Sequence, residues 1–191
     1  MIATHNRLLV RVDLSQKNSM MIGDVKCLTA TRYQTNYRER SPVIAQVVDA
    51  HDRLNKGDFL LCHHNHFHLP SPYHLYDDLF SIPANHTIFA ILYPSGELSP
   101  VYGNVLASKV EIETSFPVPP ENREFHKDRG RILDGGWTEF RPGDLVFTRP
   151  SAIYEIVYIW GEEEKRICKI NSEMICAVVG NAMLEKQSYD L

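Results

Sequence analysis

The sequence predicts an all-β protein, and three observations carry the prediction. Its apolar residues come in short runs rich in β-branched and aromatic side chains, such as Leu145-Val146-Phe147 and the stretch 153–160. Gly, Pro and charge clusters bound these runs, as they do antiparallel strands joined by turns. The stretch 142–179 holds several such runs and nowhere shows the three- and four-residue apolar spacing of a long helix. Finally, the pattern occurs twice.

Four segments recur in the same order in both halves of the chain. Arg7-Leu8-Leu9-Val10 answers to Asn104-Val105-Leu106-Ala107, and Ala45-Gln46-Val47-Val48 to Gly130-Arg131-Ile132-Leu133. Gly57-Asp58-Phe59-Leu60-Leu61 matches Gly143-Asp144-Leu145-Val146-Phe147 in type at every position, and Ile88-Phe89-Ala90-Ile91-Leu92 matches Ile175-Cys176-Ala177-Val178-Val179. One such match is weak, because Gly-Asp ahead of an apolar run is a common start to a strand. The ordered set argues for an internal duplication. It divides the 191 residues into two units, 1–94 and 99–180, with a polar tail at 181–191. Each unit is large enough for a modest core.

In order, the chain opens on a strand carried by Leu8, Leu9, Val10 and Val12. From 14 to 41 the β pattern dissolves into a long polar connection holding one apolar triplet, Met20-Met21-Ile22, ahead of Gly23-Asp24. Connections this long are usually functional or disordered segments. The triplet reads either as a further core strand or as part of a functional element in that connection. A strand resumes at 42–49, a short turn leads into Gly57-Asp58, and after Phe59–Cys62 comes His63-His64-Asn65-His66-Phe67-His68. On a strand, His64, His66 and His68 would share one face. They are then either a polar, solvent-facing surface or, as the weaker reading, a transition-metal site. Tyr93-Pro94-Ser95-Gly96-Glu97 is the turn-rich boundary. In the second half the corresponding connection, 113–128, contains Phe116-Pro117-Val118-Pro119-Pro120, which should be extended and polyproline-like.

Composition narrows function. Net charge is −4, which disfavours a broad nucleic-acid footprint. No apolar stretch reaches the roughly 20 residues needed to span a bilayer as a helix. Cys27, Cys62, Cys168 and Cys176 form no CxxC pair and read as small hydrophobes of a reducing cytoplasm. No nucleophile elbow, phosphate-binding loop or H-E-x-x-H occurs. Asp58 and Asp144 each follow Gly at a strand start, where Asp commonly caps a turn. These observations lead us to expect no catalytic residue, no cofactor and no enzymatic activity.

Taken together, the segments resemble the GroES co-chaperonin family. The carrying residues are Arg7-Leu8-Leu9-Val10, Lys56-Gly57-Asp58-Phe59-Leu60-Leu61 and Ile88-Phe89-Ala90-Ile91-Leu92 in the first half. In the second they are Asn104-Val105-Leu106, Arg129-Gly130-Arg131-Ile132-Leu133, Pro142-Gly143-Asp144-Leu145-Val146-Phe147 and Ile175-Cys176-Ala177-Val178-Val179. The tandem arrangement is similar to the double co-chaperonins of chloroplasts, and the divergence to co-chaperonins carried by tailed bacteriophages. The resemblance implies two tandem GroES-like irregular β-barrels, a homo-oligomeric ring, and a lid for a GroEL-type chaperonin ATPase that binds in a nucleotide-dependent way. Unfolded substrate proteins would be helped indirectly, in the cytoplasm (the host's, for a phage protein). Met20, Met21 and Ile22 stand where the family's chaperonin-binding triplet stands, and Phe116 and Val118 mark the second loop. Two departures are evident: 49–56 and 134–141 are too short for the family's roof hairpin, and prolines interrupt the second loop. An alternative expectation is a structural or assembly protein, such as a virion component, that reuses the barrel.

Overall fold

A computed structural model describes residues 6–13, 19–29, 42–50, 53–67 and 69–180. It is all-β, with three short 3-10 turns and fifteen strands among the described residues. The first nine are β1 (Arg7–Arg11), β2 (Ser19–Ile22), β3 (Val25–Thr29), β4 (Val43–Asp49), β5 (Phe59–Cys62), β6 (His74–Tyr76), β7 (Leu79–Pro83), β8 (Ile88–Leu92) and β9 (Leu98–Pro100). The rest are β10 (Asn104–Glu111), β11 (Phe125–Asp134), β12 (Leu145–Thr148), β13 (Ile153–Trp160), β14 (Glu163–Asn171) and β15 (Ile175–Val179).

The chain divides into two units, Met1–Tyr102 with Ile156–Arg166, and Gly103–Glu155 with Ile167–Leu191. The tip of the β13–β14 hairpin thus belongs to the first unit and its base to the second, where the sequence reading gives all of 99–180 to one unit. In the first unit β6-β7-β1-β4-β5-β8-β9 form one antiparallel sheet, and β2 and β3 extend from β13. In the second, the order is β14-β10-β11-β12-β15. Among the described residues each sheet ends on an edge strand at both sides, so the expected barrel closure is corrected: neither sheet is closed. Both ends of the seven-stranded sheet are strands of three residues, short enough to offer little edge for further pairing.

The repeated segments occupy repeated places. The order β7-β1-β4-β5-β8 in one unit is the order β14-β10-β11-β12-β15 in the other. Register agrees as well. Leu60 pairs with Ala45 and Ile91, and Val146 pairs with Gly130 and Val178. The Gly-Asp turns are superimposable in their bonding. Gly57 N–H donates to Val47 O at 2.8 Å and Asn55 N–H to Asp58 Oδ2 at 2.7 Å; Gly143 N–H donates to Ile132 O at 2.8 Å and Arg141 N–H to Asp144 Oδ2 at 2.9 Å. Both glycines have φ above +90°, a conformation in which a Cβ is strained. Each aspartate therefore caps its own turn, and neither is left for chemistry.

Both cores follow from the alternation of these strands. The second unit packs Val105, Ala107, Ile132, Val146 and Ile170 together, with Phe140, Ile153 and Ile175 against them. The first buries larger side chains, including Phe67, Phe80, Phe89, Ile44 and Leu60. At about 1.5–3 kcal/mol for each large side chain removed from water, burial of this extent is what holds such short strands in place.

Candidate functional site

The triplet Met20-Met21-Ile22 is a strand, and its hairpin is the best-defined candidate contact element. Gly23 and Asp24 form a two-residue turn between β2 and β3, with Gly23 at φ +61°. Two-residue hairpins need that left-handed geometry, and Gly-Asp supplies it. Pairing of Met21 with Lys26 and of Ile22 with Val25 splits the triplet between two faces. Ile22 is 1% exposed on the inner face with buried Cys27, whereas Met21 is 56% exposed beside exposed Lys26 on the outer face. Met20 is half-buried. The expected mobile loop is corrected for 19–29, which is paired strand; 14–18 and 30–41 lie outside the described residues.

The hairpin is anchored on its C-terminal side. Ile159 pairs with Leu28 and Trp160 with Cys27, and Gly161 N–H donates to Lys26 O at 3.1 Å. Trp160 in turn lies flat against the turn at Gly96, where a Cβ would sit 2.7 Å from the indole. Tyr158 Oη donates to Gly96 O at 3.1 Å. Burial pushes the Tyr158 hydroxyl up to about 12, with smaller contributions from Cys27 and Glu97, and burial alone pushes the Cys27 thiol up to about 11. Both groups are therefore neutral at physiological pH. They are packing elements, without the thiolate character of a reactive site.

The second connection takes a different form. Phe116 is 80% exposed and Val118 half-buried, and neither is on a strand. Thr114 Oγ1 donates to Phe116 O at 2.8 Å, and Pro119 has polyproline II torsions, φ −54° and ψ 146°. Below them Ile112 N–H donates to Glu124 O at 2.9 Å, and Arg123 Nη1 meets Glu111 Oε2 at 3.4 Å. The extended, proline-held form is the one its composition predicts.

The histidines depart from the strand expectation. After Cys62 the chain leaves the ladder, and His64–Phe67 is a 3-10 turn whose Phe67 packs on Phe80, ring centroids 5.1 Å apart. Burying Phe67 draws the segment inward, so His64 and His66 are buried, contrary to the solvent-facing surface expected. His68 lies outside the described residues. His66 Nε2 is 2.6 Å from Thr87 Oγ1, whose own hydroxyl donates to Asn85 Oδ1 at 2.5 Å. The hydroxyl proton being so used, Nε2 carries the imidazole proton and Nδ1 is a buried lone pair with no hydrogen-bond partner among the described residues. Burial, then the charges of His63, Arg7 and His86, push His66 down to about 4. Among the described residues no group of three or more His, Cys, Asp or Glu is placed to hold a metal ion.

Sequence reasoning missed the strand pairing that commits Ile22 to the interior. The alternation of β3, where Val25 and Cys27 are apolar and Lys26 is not, signals a strand but not the partner it finds. Among the described residues no helix is long and apolar enough to cross a membrane. No family model, curated protein or solved structure matches the chain.

Proposed function

We propose that this chain is a subunit of a ring-forming lid for a GroEL-type chaperonin ATPase, with each unit an opened relative of the GroES-like barrel. The observation that carries the reading is Met21. It is a large thioether, 56% exposed, two residues from the hairpin turn and flanked by a strand that fixes its direction. Repetition of one strand order and one capped turn in both units adds support, because the resemblance rests on those same segments. Met adapts to irregular apolar grooves. A single such contact is weak, and several on one ring act through effective concentration, so binding is tight while release stays fast. ATP hydrolysis belongs to the partner. The chain itself is not an enzyme and takes no cofactor, and it helps unfolded proteins only by enclosing them, in the cytoplasm (the host's, if it comes from a phage).

Phe116 and Val118 stand in the corresponding connection of the second unit and form the second contact loop of this reading. A second reading, a structural component of an assembly such as a virion, is favoured by the burial of Ile22, which leaves one residue of the triplet fully displayed. Size-exclusion chromatography with a GroEL-type chaperonin separates the two. The lid reading expects co-elution only when ATP or ADP is present. A large particle formed by the chain alone, with no co-elution under any nucleotide, would replace it with the assembly reading.

A further inference from the structure

The β2–β3 hairpin joins the rest of its unit by a single short ladder. β3 pairs with the tip of β13 through Thr29 and Tyr158, Leu28 and Ile159, and Cys27 and Trp160, and Gly161 N–H adds one bond to Lys26 O at 3.1 Å. Among the described residues β2 has no ladder partner but β3, although it passes close to β4. The hairpin carries its own four residue pairs, from Ser19 with Leu28 to Ile22 with Val25, so it can leave β13 with that ladder intact. Local openings of this kind cost less than global unfolding. Cys62 gives the contrast within the same unit. It lies in β5, paired on both sides by β4 and β8, and is fully buried.

Docking decides which side chains of the hairpin are on display. Ile22 and Cys27 are buried on the inward face, and Val25 stands against the β13–β14 turn, where a Cβ on Gly161 would lie 3.8 Å from Val25 Cγ1. Met21 and Lys26 are exposed on the outward face. A docked hairpin therefore offers a partner one large apolar side chain of the triplet in full. Released from β13, it offers Ile22 as well.

We propose that β13 is an autoinhibitory strand for this hairpin: pairing with β3 withholds Ile22, and release presents Met20, Met21 and Ile22 together to the partner. The inference rests on the lid reading and adds its regulation. A partner that needs Ile22 binds the released form, so its apparent affinity is lowered by the fraction of chains in which the hairpin is free. Binding in turn draws the population toward that form.

Two native cysteines report the opening. Burial holds Cys27 and Cys62 as protonated thiols, so each reacts only when its surroundings open. Iodoacetamide under native conditions, read by peptide mass spectrometry, should modify Cys27 at least about ten-fold faster than Cys62. Equal rates would overturn the proposal, because the hairpin would then open only with the core. The link to binding is tested with Leu28→Cys and Ile159→Cys in one chain. These positions are directly opposed across the β3–β13 ladder, where Cα atoms are close enough for a disulfide. Diamide takes one hydrogen from each thiol as the two sulfurs join, and dithiothreitol reverses the step. The oxidised form should bind a GroEL-type chaperonin with ATP at least about ten-fold more weakly than the same protein reduced. Equal binding by the two forms overturns the regulation and leaves the lid reading in place. Binding by neither form, nor by the unsubstituted chain, removes the lid reading and the regulation with it.

Discussion

The two units share a strand order, a register and a capped turn, and they differ in the insertion between the first and second of the matched strands. Between β1 and β4 the insertion contains a hairpin with one apolar face turned in and one methionine turned out. Between β10 and β11 it is an extended, proline-rich excursion whose aromatic residue is 80% exposed. The framework tolerates both because the ladder bonds close beneath the insertion. The two insertions therefore offer different surfaces from equivalent places, one strand-paired and directed, the other held out by proline.

Substitutions can sharpen that contrast. The largest effect is expected at Ile22, where truncation to Ala should cost about 2–5 kcal/mol in chemical denaturation because it leaves a cavity beneath the hairpin. Met21→Ala, one residue away on the outer face, should stay within about 0.5 kcal/mol. Similar costs at both positions would mean that the two faces are not distinguished as described. Next comes binding. On the lid proposal, Met21→Asp should weaken nucleotide-dependent chaperonin binding at least 100-fold with an unchanged circular dichroism spectrum, and Phe116→Asp should change it less than about three-fold. The reverse ranking would transfer the contact role to the second insertion.

A smaller difference lies inside the sheets. Ala45 in the first unit and Gly130 in the second are equivalent, and a Cβ on Gly130 would fall 2.9 Å from Ile170 Cδ1 and 3.2 Å from Ala107 Cβ. Because the nearest atom ends a flexible side chain, Gly130→Ala should cost only about 1–2 kcal/mol by thermal melting. Ala45→Gly should cost about 1 kcal/mol through backbone freedom and lost packing.

The pH response should be of similar size. His66 is held neutral with its folded pKa near 4, below the 6.5 of an open imidazole, so the unfolded chain binds the extra proton between those values. Its contribution is fully present above pH 6.5 and is lost as pH falls toward 4, by about 1–2 kcal/mol. His66→Gln should flatten the stability profile in that window, and an unchanged slope would assign the acid response elsewhere.

Much of the fold is legible in the sequence because period-two apolar runs and Gly-Asp turns are local signals. The four repeated segments, read from residue type alone, stand in register in the structure. What the sequence conceals is pairing between distant segments. Nothing near Ile22 announces that β3 will find β13, and nothing near His64 announces that Phe67 must reach Phe80. Closure was beyond local reading for the same reason: whether β6 and β9 meet another strand depends on their length and surroundings.

The most direct test of the lid account is refolding of a denatured substrate protein by a GroEL-type chaperonin and ATP, with this chain as the sole co-chaperonin. The account predicts a recovered yield several-fold above chaperonin and ATP alone, and loss of that gain with Met21→Asp. A yield no higher than that of the chaperonin alone, under conditions where its own co-chaperonin restores folding, would contradict it.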